Sequence, residues 1–235
     1  MPVLHVFGET IEYDIVESTE ATQPRIDVDI HGVTMILPAG AEIEPETLAD
    51  ENAQWVLEQW RQYRAHREQA PTREFTEGEI FPYLGDERSL AIEPTDAAEV
   101  TAAQFVLPEA DVVDGNVQES LKNLYRRKAW KHFQERIDDY AGRLNVDPGR
   151  LELRNQRTRW ASCSPHRTLS FNWRLIMALP EVVDYIVIHE LAHLRERNHT
   201  KRFWRIVEEH DPEFERHVEW LKENGVRLIF TEEDL

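Results

Sequence analysis

Over the first forty residues, apolar and polar positions alternate. Residues 12–16 (EYDIV) and 25–30 (RIDVDI) follow the two-residue period of strands with one buried face. His31 and Gly32 signal a turn, and residues 33–37 (VTMIL) read as the returning strand. From Pro45 to about residue 68 the pattern becomes helical, with Leu48, Trp55, Leu57 and Trp60 among the apolar positions. Residues 69–114 mix Pro, Gly, Thr and acids with short strand-like pieces such as 80–84 (IFPYL). No internal repeat or low-complexity tract is visible.

From Asn116 onward the period is that of a long amphipathic helix. Residues 117–144 place Leu121, Leu124, Trp130, Phe133, Ile137 and Tyr140 on or near one face. The basic cluster from Lys122 to Lys131 reads as its solvated side. Residues 151–153 (LEL) and 169–171 (LSF) read as strands flanking a loop with Trp160, Cys163 and Pro165. Pro180 suits a first helical turn, and the helix it opens is expected to run through Arg197 and end at Asn198 in a left-handed cap. Thr200 caps a further helix over residues 201–210, and Asp211-Pro212 opens a last one that stops near Gly225. Strands followed by helices predict an α+β fold. The expected division is a β-rich N-terminal lobe over residues 1–114, carrying one helix, and a helix-rich domain with a short sheet over 115–235.

Composition narrows the function classes. The best candidate for a membrane span, residues 182–194, is interrupted by Asp184, His189, Glu190 and His193, so no membrane partner is expected. The amino terminus lacks the basic start and apolar stretch of a secretion signal. Cys163 is the single cysteine, which excludes an intrachain disulfide and fits a reducing cytoplasm. The net charge of −18 is concentrated in residues 1–114, with 25 acids against 6 arginines. Arginine outnumbers lysine 22 to 5 over the chain. A scattered acidic excess with few lysines favours adaptation to high salt over an acidic docking face. It also disfavours non-specific binding to nucleic acid.

The candidate chemistry lies in VVDYIVIHELAHLRERNH, residues 182–199. On a helix, His189 and His193 stand one turn apart on one face, so both imidazoles can reach one metal ion. Glu190 is rotated by about 100° and can touch a metal-bound water without becoming a ligand. Zinc hydrolases use His-Glu-x-x-His for this reason: two neutral nitrogen ligands and a carboxylate that accepts the proton of water. The surrounding helix is apolar nearly all round, where unpaired polar groups are costly and a metal would compensate them. Catalytic zinc takes a third protein ligand. His199, ten residues after His189, is the first candidate and Glu196 the second.

Five segments carry a family resemblance: RWASC (159–163), LSFNWRL (169–175) with Pro180 following, HELAHL (189–194), NHTKRFW (198–204) and, towards the front, IFPYLG (80–85). Together they resemble the YgjP-like metallopeptidase family, a relative of the SprT-type and WLM-type zinc peptidases. The family commonly has Gly where this chain has Ala161. The resemblance implies a zincin-like fold and a zinc-dependent peptidase acting on peptide or protein substrates. It also implies that His189, His193 and His199 bind Zn2+ and that Glu190 is the general base. The loop from Arg159 to Cys163 and the strand to Asn172 are expected beside the active-site helix. There Arg159 or Asn172 contacts substrate or steadies an oxyanion; alternatively, Trp160 and Trp173 are core and Arg159 holds a buried carboxylate. Cys163 reads as a small buried residue, and Cys163-x-x-His166 is a weak metal signal. His210 and His217 read as surface residues, and His5, His31, His66 and His132 have no partners in sequence. Two other functions fit the same residues: a DNA-associated SprT-like protease, and a non-catalytic zinc-binding protein with an acidic docking lobe.

Overall fold

A computed structural model describes residues 2–18, 21–29, 32–41, 43–112, 116–156, 159–231 and 234. The turn expected at His31-Gly32 and the side chain of His66 fall outside the described residues. The fold is mixed α+β and divides into two compact units between Ala70 and Pro71.

The first unit carries a sheet in the order β1-β2-β4-β3, formed by β1 (Val3–Val6), β2 (Glu9–Ser18), β3 (Arg25–Asp29) and β4 (Gly32–Pro38). Alternation buries Leu4, Val6, Ile11, Tyr13, Val33 and Met35 together with Ala49, Val56 and Leu57 from the following helices. The helix expected over residues 45–68 is two helices, α1 (Pro45–Glu51) and α2 (Ala53–Arg67). The break falls at Asn52, whose side-chain amide donates to the Leu48 carbonyl while its backbone N–H bonds back to Ala49. Asn competes in this way for backbone partners that the helix would otherwise use.

The second unit begins with the same topology. Its first sheet, β5 (Ile80–Tyr83), β6 (Asp86–Glu93), β7 (Glu99–Val100) and β8 (Gln104–Pro108), has the order β5-β6-β8-β7. In each sheet the first two strands are antiparallel, the second runs parallel to the fourth, and the last two are antiparallel. In each, a two-residue loop joins the first pair, with positive φ at both positions: Phe7-Gly8 at 47° and 84°, Leu84-Gly85 at 49° and 80°. This repetition was not visible in the residues, because the shared features are alternation and turn geometry rather than side chains. The second hairpin has a definite task. The Leu84 N–H donates to the Ile176 carbonyl at 2.8 Å. Gly85 has a φ that L side chains rarely adopt, and a Cβ there would lie 2.7 Å from Leu179 Cδ2, so glycine suits the turn that sits against Leu179, the residue before Pro180.

The expected boundary after residue 114 would place this sheet with the N-terminal lobe, whereas its strands pack within the second unit. Phe81, Leu90, Phe105 and Leu107 of this sheet share one core with α3 (Val117–Leu144). Helix α3 has the predicted bounds and buries Leu121, Leu124, Tyr125, Ala129, Phe133, Ile137, Tyr140 and Leu144. Trp130, expected near the core face, is 51% exposed. A three-stranded sheet follows in the order β10-β11-β9, from β9 (Leu151–Arg154), β10 (Ala161–Cys163) and β11 (Leu169–Asn172). A 3-10 turn, Trp173–Met177, leads into α4 (Pro180–Ala192), which packs between α3 and strand β10. Helices α5 (Lys201–His210) and α6 (Phe214–Asn224) complete the unit. No helix among the described residues is long and apolar enough to cross a membrane.

Asp184, a charge within the apolar front of α4, is held by α3. Arg136 Nε and Nη2 donate to its two carboxylate oxygens at 2.6 and 2.8 Å, and the Tyr140 hydroxyl donates at 3.0 Å. This two-pronged bond fixes α4 against α3 in register as well as in distance. Burial separates neighbouring positions on α3 sharply. Phe133→Ala is expected to lower unfolding free energy by about 3–5 kcal/mol, and Trp130→Ala by less than about 1 kcal/mol. Chemical denaturation of the two variants compares them directly; equal losses would contradict the assigned face.

Candidate metal centre

Helix α4 ends earlier than its apolar pattern suggests. Instead of continuing to Arg197, it stops at Ala192, with His193 as its C-cap still in the right-handed region. The N–H groups of Arg195 and Glu196 both bond back to the Ala192 carbonyl, which closes a tight turn. Asn198 is not the left-handed cap, since its φ is not among the positive values. The chain then doubles back through His199 to Thr200, whose Oγ1 accepts from the Phe203 N–H and starts α5 with the predicted bounds.

This turn brings three imidazoles together. His189, His193 and His199 each offer a nitrogen, and the three atoms lie within 4.8 Å of one another. Nε2 of His189 and Nε2 of His199 are 3.1 Å apart. Two imidazole nitrogens at that distance either share a proton or face a common cation. Nitrogens bound tetrahedrally to one zinc at about 2.0–2.1 Å are separated by about 3.3 Å, so the donor set fits a metal ion. The opposite ring nitrogens are occupied: the Tyr185 hydroxyl faces His189 Nδ1 at 3.4 Å, and His193 Nδ1 donates to the Glu196 carbonyl at 3.3 Å. Glu196 thus contributes its backbone, and its carboxylate is not part of the cluster. Burial, reinforced by His193 and His199, pushes the His189 imidazole down to about 3; burial and His199 lower His193 as well. Neutral imidazoles are the form that binds metals.

An aromatic floor lies behind the three rings. Phe203 is fully buried, with its ring centre 4.9, 4.6 and 4.7 Å from those of His189, His193 and His199. Trp204 stacks on His199 at 5.6 Å. Neither residue was singled out from the sequence for this position, although both lie in the NHTKRFW segment. Tyr185 could have been found from its spacing, one helical turn before His189.

Glu190 is 5% exposed, and its Oε2 makes no hydrogen bond to a described residue. Burial pushes its carboxyl up to about 8, opposed by the positive charge of Arg159. Arg159 is exposed and within electrostatic reach of Glu190. Asn172 is not one of the clustered groups. It is 1% exposed, its Oδ1 accepts from the backbone and Nε of Arg174, and its Nδ2 donates to the Gln156 carbonyl. These bonds hold the chain at the end of β11. Trp173 is core and donates to Asn155 Oδ1; Trp160 is half-buried. Cys163, half-buried on β10, has its thiol pushed up to about 11 by burial and the charge of Glu190, so it stays protonated at neutral pH. His166 is exposed and outside the cluster. His217, read as a surface residue, is 7% exposed and pairs through Nδ1 with Asp211 at 2.8 Å. His210 bonds to the Ile206 carbonyl, and His5 to Thr10, while the buried Nε2 of His132 has no partner among the described residues.

The sequence profile of the YgjP-like metallopeptidase domain matches residues 22–224, most of the chain and all of this cluster. The chain belongs to the YgjP-like metallopeptidase family. Two solved structures are similar over a part of it. The metallopeptidase zymogen of Pyrococcus abyssi, abylysin, is 25% identical over 37% of this chain and 90% of its own, with a TM-score of 0.33. The metallopeptidase zymogen of Methanocaldococcus jannaschii, jannalysin, is 22% identical over 37% and 92%, with the same TM-score. Likenesses of that size carry no argument about the site. No curated protein matches the chain. Membership in the YgjP-like family makes this a metallopeptidase domain that acts on peptides and uses a metal, and the histidine cluster is a donor set able to hold one.

Glu190 also predicts a pH dependence for the metal-free YgjP-like protein. Its folded value of about 8 exceeds the ordinary 4.5, so the folded state holds the proton more tightly over that interval. The stability associated with this group is complete below about 4.5 and is lost as pH rises through 8. Relative to Glu190→Gln, metal-free wild type should lose stability progressively across this window. Denaturation midpoints measured in chelator at several pH values report the slope, and a constant difference would contradict the raised value.

Proposed function

We propose that the protein is a zinc peptidase in which His189, His193 and His199 hold the ion and Glu190 is the general base. The observation that carries this reading is the convergence of three imidazole nitrogens next to a buried carboxylate with an unsatisfied oxygen. Three nitrogen ligands leave a fourth position open, as in catalytic rather than structural zinc sites. When bound, zinc supplies Lewis acidity, acidifying a water molecule and polarising the scissile carbonyl.

The chain's own residues do the rest. Glu190 takes the proton of the attacking water at Oε2, to which no described residue donates. A carboxyl group whose proton affinity is raised by burial holds that proton well enough to deliver it to the leaving amide nitrogen. Tyr185 and the Glu196 carbonyl orient His189 and His193 from behind, so that both rings keep their direction and tautomer. Phe203 and Trp204 keep water from the back of the site. The reading extends to a zincin-like core. Strand β10 packs beside α4 and, among the described residues, pairs only with β11, which leaves its outer edge to an extended peptide.

Two substitutions separate binding from chemistry. Glu190→Gln should retain stoichiometric zinc by metal analysis and lose about 10²–10⁴-fold in peptide hydrolysis. Full activity in that variant would remove Glu190 as base. His199→Ala should lose zinc under the same purification. Zinc retained there, but lost in Glu196→Ala, would make Glu196 the third ligand.

A further inference from the structure

The protein carries a net charge of −18, yet the segment that closes the metal centre is cationic. Residues 189–205 hold Arg195, Arg197, Lys201, Arg202 and Arg205 against two carboxylates, Glu190 and Glu196. Elsewhere in the same unit, arginines are neutralised by acids: Arg136 by Asp184, Arg143 by Asp139, Arg154 by Glu152 and Arg174 by Asp234. By contrast, Arg159, Arg197, Lys201 and Arg202 are exposed and make no ion pair with a described residue.

Placement gives these charges a direction. Arg197 lies in the turn between His193 and His199, and Arg159 lies two residues before β10, the edge strand that packs against α4. The charge of Arg159 is felt at Glu190, and that of Arg197 at Cys163, which in turn feels Glu190. The two guanidinium groups thus lie within electrostatic reach of Glu190 on α4 and Cys163 on β10, the two elements that flank the metal centre. A guanidinium presents a planar fork that matches a carboxylate in two parallel hydrogen bonds. We propose that Arg159 and Arg197 form a carboxylate-binding subsite beside the metal centre, so that the enzyme prefers peptides with Asp or Glu near the scissile bond. The inference rests on the peptidase reading of the same site and names its substrate class.

Nucleic acid is the other polyanion with the charge to meet such a rim. A duplex extends well beyond a Debye length of about 8–10 Å and would meet the acids that outnumber the bases over residues 71–234. A short acidic peptide meets only the local cations. The carboxylate itself has two sources, a side chain or a free C-terminus, and blocked peptides separate them.

The test uses the full zinc-loaded chain and paired fluorogenic peptides with amidated C-termini that differ only by Glu against Gln beside the cleaved bond. kcat/KM should favour the Glu peptide about 10-fold, as a charge-assisted contact does. In the Arg159→Gln/Arg197→Gln double variant that ratio should fall towards unity; the ratio is read because a general loss of activity cancels from it. In parallel, the zinc-loaded Glu190→Gln protein is titrated with the same peptides, and its affinity should show the same preference. A ratio near unity in both wild-type turnover and binding overturns the subsite while leaving the peptidase reading intact. Failure to cleave any peptide overturns the peptidase reading, and the binding arm still decides the subsite. Preference only for peptides with a free C-terminus reassigns the subsite to the terminal carboxylate. A DNA oligonucleotide that outcompetes the Glu peptide, in a manner lost in the double variant, overturns the proposal in favour of nucleic acid.

Discussion

Two imidazoles on one helix are neighbours by virtue of spacing alone, but a third ten residues further on is not. Had α4 continued, His199 would lie about 15 Å along the axis from His189. The observed separation of their Nε2 atoms is 3.1 Å. Everything about the centre depends on the helix stopping at Ala192 and the chain doubling back in seven residues. The turn is closed by N–H groups bonding to the Ala192 carbonyl, and the Thr200 cap restarts helical structure at once. Phe203 then fills the space behind all three rings. A loop with more freedom would leave the third imidazole to search for the other two.

A turn this tight is useful only if the helix before it cannot shift. Three contacts hold α4: its apolar face in the main core, the Arg136–Asp184 fork from α3, and the Leu84-Gly85 hairpin against Leu179 at its start. Polar groups buried on this helix are otherwise compensated, as burial requires. Asp184 has Arg136 and Tyr140, and His189 and His193 have partners at their Nδ1 atoms. Glu190 Oε2 is the exception. An unpaired buried carboxylate oxygen lowers stability, and its position beside the histidine cluster is the reason we assign it the proton transfer.

Charge is distributed with the same economy. The acidic excess lies mostly in the first 114 residues, while the segment closing the metal centre keeps cations that make no ion pair with a described residue. Local charge within a Debye length governs what a short peptide meets. An acidic protein can in this way present a cationic rim.

Much of this was legible in the residues. Period-two alternation marked β2, β3 and β4, and a period of 3.6 located α3 and α5 with their observed bounds, since both signals arise from one-sided burial and local capping. The spacing of His189, Glu190 and His193, and the candidacy of His199, needed nothing beyond helical geometry and ligand chemistry. What remained hidden was whatever depends on contacts between distant segments. The stop at Ala192 overrides an apolar pattern that runs on, and the burial of His217 depends on Asp211 six residues away in a different element. The engagement of Asn172 depends on Arg174 and Gln156, and the division of the chain at residue 70 on which core Phe81 and Phe105 join. Sequence patterns report which side of an element is buried. Only the tertiary structure decides which partner that side meets, because the partner is set by the packing of the whole unit.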